Sequence, residues 1–188
     1  CLPLDDCPAH KQAVCVSRSL ASEITCPNTL SDLLFCFAGR GCLKLRQAGL
    51  VAGRIQIFAL SNRFKTDRPQ FSRAVEIGLL PYSNDTRRIC TTIGQSIDRL
   101  WCPGLQIKKV GVMLLDLCRP ETASYDLFTP APVSSSPLMS SIDGLEEKFG
   151  RDAVVIGRLP RNRVDWFTKS DNRSPCYTTR WSDIPRFG

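Results

Sequence analysis

Histidine is almost missing from this chain, with His10 the single one among 188 residues. A Cys–His nucleophile needs an imidazole held by a folded segment, and His10 stands in a Pro-containing leader, so that chemistry lacks its base. The ten cysteines, at 1, 7, 15, 26, 36, 42, 90, 102, 118 and 176, include no C-x-x-C pair. With one histidine to complete a set, this spacing argues against zinc, and no metal ligands are expected. A secreted scaffold stapled by disulfides would be shorter and richer in loops. Here Cys15, Cys90 and Cys118 fall in apolar segments where a reduced thiol acts as a small hydrophobe, so buried thiols in a reducing cytoplasm are expected. Uncharged apolar runs of the roughly 18 residues that a membrane span needs are also missing, as are a charged n-region and apolar h-region at the start. A soluble, cytoplasmic chain with no membrane partner is the expectation. Neither G-x-x-x-x-G-K nor G-x-G-x-x-G occurs in a strand-to-helix context, which removes the glycine-rich phosphate loops. The chain opens at Cys1 without an initiator Met, as a piece of a longer protein would.

What is present is positive charge, unevenly placed. The net charge is +7, and residues 1–121 hold 16 Lys and Arg against 10 Asp and Glu, while residues 122–188 hold 9 against 8. The basicity belongs to the first part. A polyanion-binding surface needs such an excess, because each phosphate neutralised releases condensed counterions; a merely solvated basic face has the same composition. The hydrophobic content of 43% is ordinary for a globular protein and allows one large domain or a medium domain with an appendage.

Periodicity supplies the elements. "KQAVCVSRSL" (11–20) alternates and predicts a strand. Residues 28–49 place Leu30, Leu33, Leu34, Phe37 and Leu45 on one helical face, with Thr29 and Asp32 at capping-box spacing and Gly49 as a stop. Gly39 and Gly41 would each cost that helix up to about 1 kcal/mol. Residues 53–62 and 71–80 alternate as strands joined by the turn-prone "RFKTDRPQ". Residues 85–101 predict a second helix, capped by Asp85 and carrying Ile89, Ile93, Ile97, Leu100 and Trp101 on one side. Residues 108–117 give the last strand, with Asp116 read as a lone strand-end cap. The order β-α-β-β-α-β predicts an α+β fold in which two helices cover one face of a four-stranded sheet and leave the other face open.

An open face can carry cations without a desolvation cost. Alternation on the second strand sets Ile55, Ile57 and Ala59 against Arg54, Gln56 and Phe58. Arg73 on the third strand, Lys108 and Lys109 at the start of the fourth, and Arg18 between the hydroxyls of Ser17 and Ser19 extend the basic set. Each alone is an ordinary solvated charge at a strand end; together they suit phosphate contact.

The stretches "VCVSRSL", "RIQIFALSNRF", "QFSRAVEIGLLPYSNDTR", "KKVGVMLLDL" and "YTTRWSDIP" resemble, in that order, the C-terminal half of UmuC-type Y-family translesion DNA polymerases. The resemblance covers nearly the whole chain. It implies a tether from the thumb over residues 1–10 and a little finger domain over 11–121. Residues 122–141 would hold a clamp-peptide candidate and a Pro/Ser linker, and 142–188 a UmuC-type C-terminal domain. Little fingers grip template–primer duplex through phosphates, which carry no base information and so suit a polymerase that accepts damaged template. The resemblance implies DNA contacts at Ser17, Arg18 and Ser19 and at Lys108 and Lys109, beside the Arg54 and Arg73 suggested by the face itself. It also implies a sliding-clamp peptide of the pattern Gln-x-x-Leu-Phe. "SYDLF" places Leu127 and Phe128 as its anchors, with Ser124 where Gln should stand; docking of Phe128 back on the first domain is the alternative. Partners in the SOS response would be UmuD-type subunits and RecA.

Past the linker, "SSIDGLEEKFG" predicts a short helix with Ile142, Leu145 and Phe149 inward, and "DAVVIGRL" a short strand before a polar tail with Trp166 and Trp181. So small a segment is expected to be only partly ordered or to need a partner. Two-metal nucleotidyl transfer needs converging carboxylates, which such polymerases hold in an upstream palm. No catalytic residues and no cofactor are expected in this piece, Mg²⁺ belonging to that palm. Two other readings share the element order. An RNA-binding RRM would need an aromatic third-strand signature that "FSRAVEIGL" lacks, and a small-molecule regulatory module would have no use for the cations.

Overall fold

A computed structural model describes residues 11–65, 67–123, 136–150, 153–154, 156 and 174–184. Four strands, β1 (Ala13–Ile24), β2 (Val51–Leu60), β3 (Ser72–Ser83) and β4 (Ile107–Cys118), pair antiparallel in the spatial order β1-β4-β2-β3. The second and fourth strands are therefore central and the first and third are edges. In an RRM the stacking aromatics sit on the first and third strands at the middle of the sheet, so this order is a different topology.

One face is covered by α1 (Pro27–Gln47), α2 (Thr86–Gly94) and the single turn α3 (Ile97–Leu100). The stripe on α1 buries Leu30, Leu33, Leu34, Phe37, Cys42 and Leu45 against Ile55, Ile57, Val110, Val112 and Leu114 of the central strands. Fully burying each such side chain contributes about 1.5–3 kcal/mol, far more than helix propensity can remove. Gly39 and Gly41 accordingly leave α1 unbroken. A Cβ on Gly41 would come within 3.1 Å of Leu114 Cδ1, so the bare position lets the helix cross close to β4. The helix begins differently from the expected capping box: Cys26 is the N-cap with no side-chain cap, and Pro27 pre-sets the first turn. It ends as expected, with Gly49 in the left-handed region (φ +66) and Leu50 N–H donating to Leu45 C=O at 2.9 Å.

The expected helix over 85–101 is two pieces. Asp85 caps α2 by accepting from Arg87 N–H at 2.8 Å, but the chain turns at Gln95 and Ser96 before α3 resumes. The break leaves Ile89, Ile93, Ile97 and Leu100 all buried, because the short turn re-aims the second piece at the same core.

The thiols are free in the described residues, and their burial differs from expectation. Cys42 and Cys90 are buried, Cys118 is half-buried, and Cys15 is exposed, because alternation turns it to the uncovered face. No group of three or more metal-ligating side chains gathers among the described residues. No described helix is long and apolar enough to cross a membrane.

Beyond the sheet domain, α4 (Ser136–Phe149) lies against the outer side of α1. Arg46 near the end of α1 donates to both carboxylate oxygens of Asp143, at 2.7 and 2.6 Å, and also to Asn84 C=O and Thr86 Oγ1. Burial works against the Arg46 charge, and the hydrogen bond and charge of Asp143 more than offset it, so its pKa is raised. This pair joins the Asp143 side of α4 to α1. Met139 is buried and Ile142 half-buried, while Leu145 and Phe149, expected inward, are exposed, Phe149 at 66%. Within the expected strand over 152–159, Ala153, Val154 and Ile156 form bends and the rest lies outside the described residues. Trp181 stands exposed on a single 3-10 turn, Trp181–Asp183, which Asp183 closes by accepting from Cys176 N–H at 3.0 Å.

Candidate nucleic-acid interface

Register shows what the open face carries. Ser17 pairs with Gly111, Gly111 with Phe58 and Phe58 with Ala74, forming one row across all four strands. The rows on one side are Cys15–Met113–Gln56–Glu76 and Ala13–Leu115–Arg54–Gly78; on the other side is Ser19–Lys109–Leu60–Ser72. The middle of the face is thus mildly apolar, with Phe58, Met113 and Leu115 half-buried. A Cβ on Gly111 would lie 2.2 Å from the Phe58 ring and 2.6 Å from Ser17 Cβ, so the bare strand is what lets Phe58 lie flat over it.

The seven expected contacts divide by face. Ser17, Ser19, Arg54 and Lys109 stand on the open side. Arg18 shares alternation with Val14, Val16 and Leu20, pairs with buried Val110, and is half-buried on the helix side. It thus points away from the face that carries the Ser17 and Ser19 hydroxyls, because successive strand residues point to opposite faces. Arg73 likewise stands in the helix-side row, paired with Ala59; it donates to Arg99 C=O at 3.2 Å and covers the Phe71 ring at 5.6 Å. Lys108 donates to Ala21 C=O at 2.8 Å at the sheet end.

The two ends of the open face differ in charge. At one end Arg54 pairs with Glu76 at 2.9 Å and lies 3.9 Å from Asp116. Asp116 is no strand-end cap: it has a left-handed backbone (φ 54) and accepts from Tyr82 O–H at 2.7 Å. That hydrogen bond, then desolvation, raises the Tyr82 pKa. A Cβ on Gly53 would come within 2.5 Å of the Tyr82 ring and 2.8 Å of the Asp116 carboxylate, so glycine makes room for the contact. Two carboxylates thus answer one guanidinium here.

At the other end a cleft of about 280 Å³ is lined by Ser19, Leu60, Ser61, Asn62, Arg63, Phe64, Lys108 and Lys109. No carboxylate of the described residues lines it. Among the described residues no ion pair involves Lys109 or Arg63, whereas Lys65 and Arg68 of the same loop are tied to Glu23 at 3.1 and 3.6 Å. The structure therefore brings Ser19, Lys108 and Lys109 together and leaves Arg54 and Arg73 apart from them. Arg63 and Phe64 were not anticipated. The signal was an aromatic ring beside an arginine inside a turn otherwise made of polar residues. Leu127 and Phe128, the expected clamp anchors, lie outside the described residues.

A βαββαβ sheet covered on one side and open on the other, with a cationic end, defines the class of domain. A family model described as "impB/mucB/samB family C-terminal domain" matches residues 11–127, and the chain belongs to that family. A second model, "Domain of unknown function (DUF4113)", matches residues 136–186. The chain is 29% identical to "Protein UmuC" of Salmonella typhimurium over 188 residues, covering 99% of this chain and 44% of that protein. It is 28% identical to "Protein MucB" of Escherichia coli over 187 residues, with 98% and 44% covered. The chain thus spans less than half the length of these curated relatives. Among solved structures, "Complex of beta-clamp processivity factor and little finger domain of PolIV" is similar at a TM-score of 0.38 and 15% identity, covering 65% of this chain and 98% of that one.

Proposed function

We propose that this chain is the DNA-gripping, C-terminal part of an error-prone translesion DNA polymerase of the SOS response. It would hold template–primer duplex by its phosphates and leave the chemistry, with its Mg²⁺, to domains outside this chain. The observation that carries the reading is the asymmetry of the open face. Lys109, Lys108 and Arg63 converge with the Ser19 hydroxyl on a cleft that no carboxylate of the described residues lines, while the arginine at the opposite end is already answered by two. Cations without acidic partners are available to phosphate oxygens, and hydroxyls can add hydrogen bonds. Membership of the impB/mucB/samB family supports the polymerase context. We propose as partners those that such polymerases would use: a sliding clamp, with Leu127 and Phe128 as its anchors, and UmuD-type subunits and RecA.

The test is duplex binding across a salt series. Lys109→Glu is expected to weaken binding to unrelated sequences by a similar factor and to lower the salt slope by about one for each phosphate it no longer neutralises. Arg54→Ala is expected to change little, because Glu76 and Asp116 already hold that charge. Equal affinity of Lys109→Glu and the parent at every salt concentration would remove the phosphate reading.

A further inference from the structure

Phe64 is 96% exposed, beyond any other large apolar side chain among the described residues. Exposure alone would be unremarkable at a loose loop, but this turn is braced. Asn62 Oδ1 accepts from Phe64 N–H at 3.1 Å, and Asn62 C=O accepts from Lys65 N–H at 3.3 Å. The Gln70 amide donates to Asn62 C=O at 3.2 Å and to Lys65 C=O at 2.8 Å, and Phe71 N–H donates to Ser61 Oγ at 2.8 Å. Lys65 and Arg68 fasten the turn to Glu23 on β1. The braced backbone holds Phe64 out at the cationic cleft, which Arg63 and Lys109 also line.

We infer that Phe64 is a stacking platform for an unpaired base of single-stranded DNA, with Arg63 and Lys109 on the flanking phosphates. The inference rests on the DNA reading above and extends it to a second kind of substrate. A protein partner would call for contiguous apolar surface, and the groups around Phe64 are mostly hydroxyl, amide and cation. An exposed aromatic face next to positive charge is the combination that single strands use, since every base has a π-face and every linkage a phosphate. Bases inside a duplex have both faces covered by neighbours, so the ring selects an unpaired base such as an overhang presents.

The test compares this chain with blunt duplex, with the same duplex carrying a short oligothymidine overhang, and with that overhang made abasic, by fluorescence anisotropy. The parent is expected to bind the overhang duplex more tightly than the blunt or abasic one. Phe64→Ala should lose about tenfold on the overhang and nothing on the blunt duplex. Phe64→Trp should keep the preference, with its indole fluorescence quenched by the overhang and not by the abasic strand. Equal affinity of the parent for the three DNAs, or an unchanged preference in Phe64→Ala, would overturn the stacking role. In that case loss of blunt-duplex binding by Lys109→Glu would leave the phosphate reading standing. Absence of binding to all three DNAs would remove both.

Discussion

Burial pushes the Cys42 thiol up to about 12, with Thr86 and Arg46 opposing, and pushes Cys90 to about 12 as well. The ordinary value is 9.0, so folding holds both thiols in the neutral form that the unfolded chain gives up above that pH. The stability they contribute is whole below pH 9 and is lost as the pH climbs toward 12. Thermal melts of the parent should therefore fall through that window, and a Cys42→Ala, Cys90→Ala double variant should fall less steeply. The same burial predicts the pattern of alkylation by a maleimide at neutral pH: among the described cysteines, Cys15, Cys26 and Cys176 react in the folded chain, and Cys42 and Cys90 react only after denaturation. Side-chain placement is also the level at which the sequence is least legible. Arg18 belongs by simple alternation with Val14, Val16 and Leu20, yet its sequence neighbours Ser17 and Ser19 suggested a shared site that the pleat forbids. The neutralisation of Arg54 depends on Glu76 and Asp116, which stand far from it along the chain and which only strand pairing brings near.

Elements were more legible because each carries its own period. The four alternating runs and the stripe from Leu30 to Leu45 identify strands and helix before any contact is known, and the observed ends shift by a few residues where pairing extends them. The split between α2 and α3 was hidden, since Ile89, Ile93, Ile97 and Leu100 keep helical spacing through the turn. The facing of α4 was hidden for a different reason: Ile142, Leu145 and Phe149 share helical spacing, yet the side that is covered is the one with Met139 and Ile142, beside the Arg46–Asp143 pair. Asp143→Ala is expected to loosen α4 by about 2 kcal/mol, leaving Arg46 with only Asn84 and Thr86. Hydrogen exchange should then show amides of α4 losing protection while those of β2 and β4 keep theirs. At the sheet, Gly111→Val should cost about 1–3 kcal/mol in urea unfolding, because the added carbons occupy the space of the Phe58 ring. No comparable loss is expected at Gly78, where a Cβ meets nothing within 4 Å.

At the scale of the molecule the described parts form three levels, with the sheet on one side, α1 to α3 in the middle and α4 behind them. The surface that would meet DNA and the surface that carries α4 are on opposite sides of the helix layer. Removing residues 136–188 is therefore expected to lower the melting temperature while leaving the dependence of duplex affinity on Lys109 unchanged. If duplex binding vanished with that segment, the two sides would be coupled. The unequal ends of the open face have a further consequence before any contact is made. A sheet face whose unpaired positive charge gathers at one rim behaves in the field of a polyanion as a compass needle does: it is turned as it comes within about a Debye length. It would arrive with the β2–β3 turn leading, and its heading along the strand would be settled during approach.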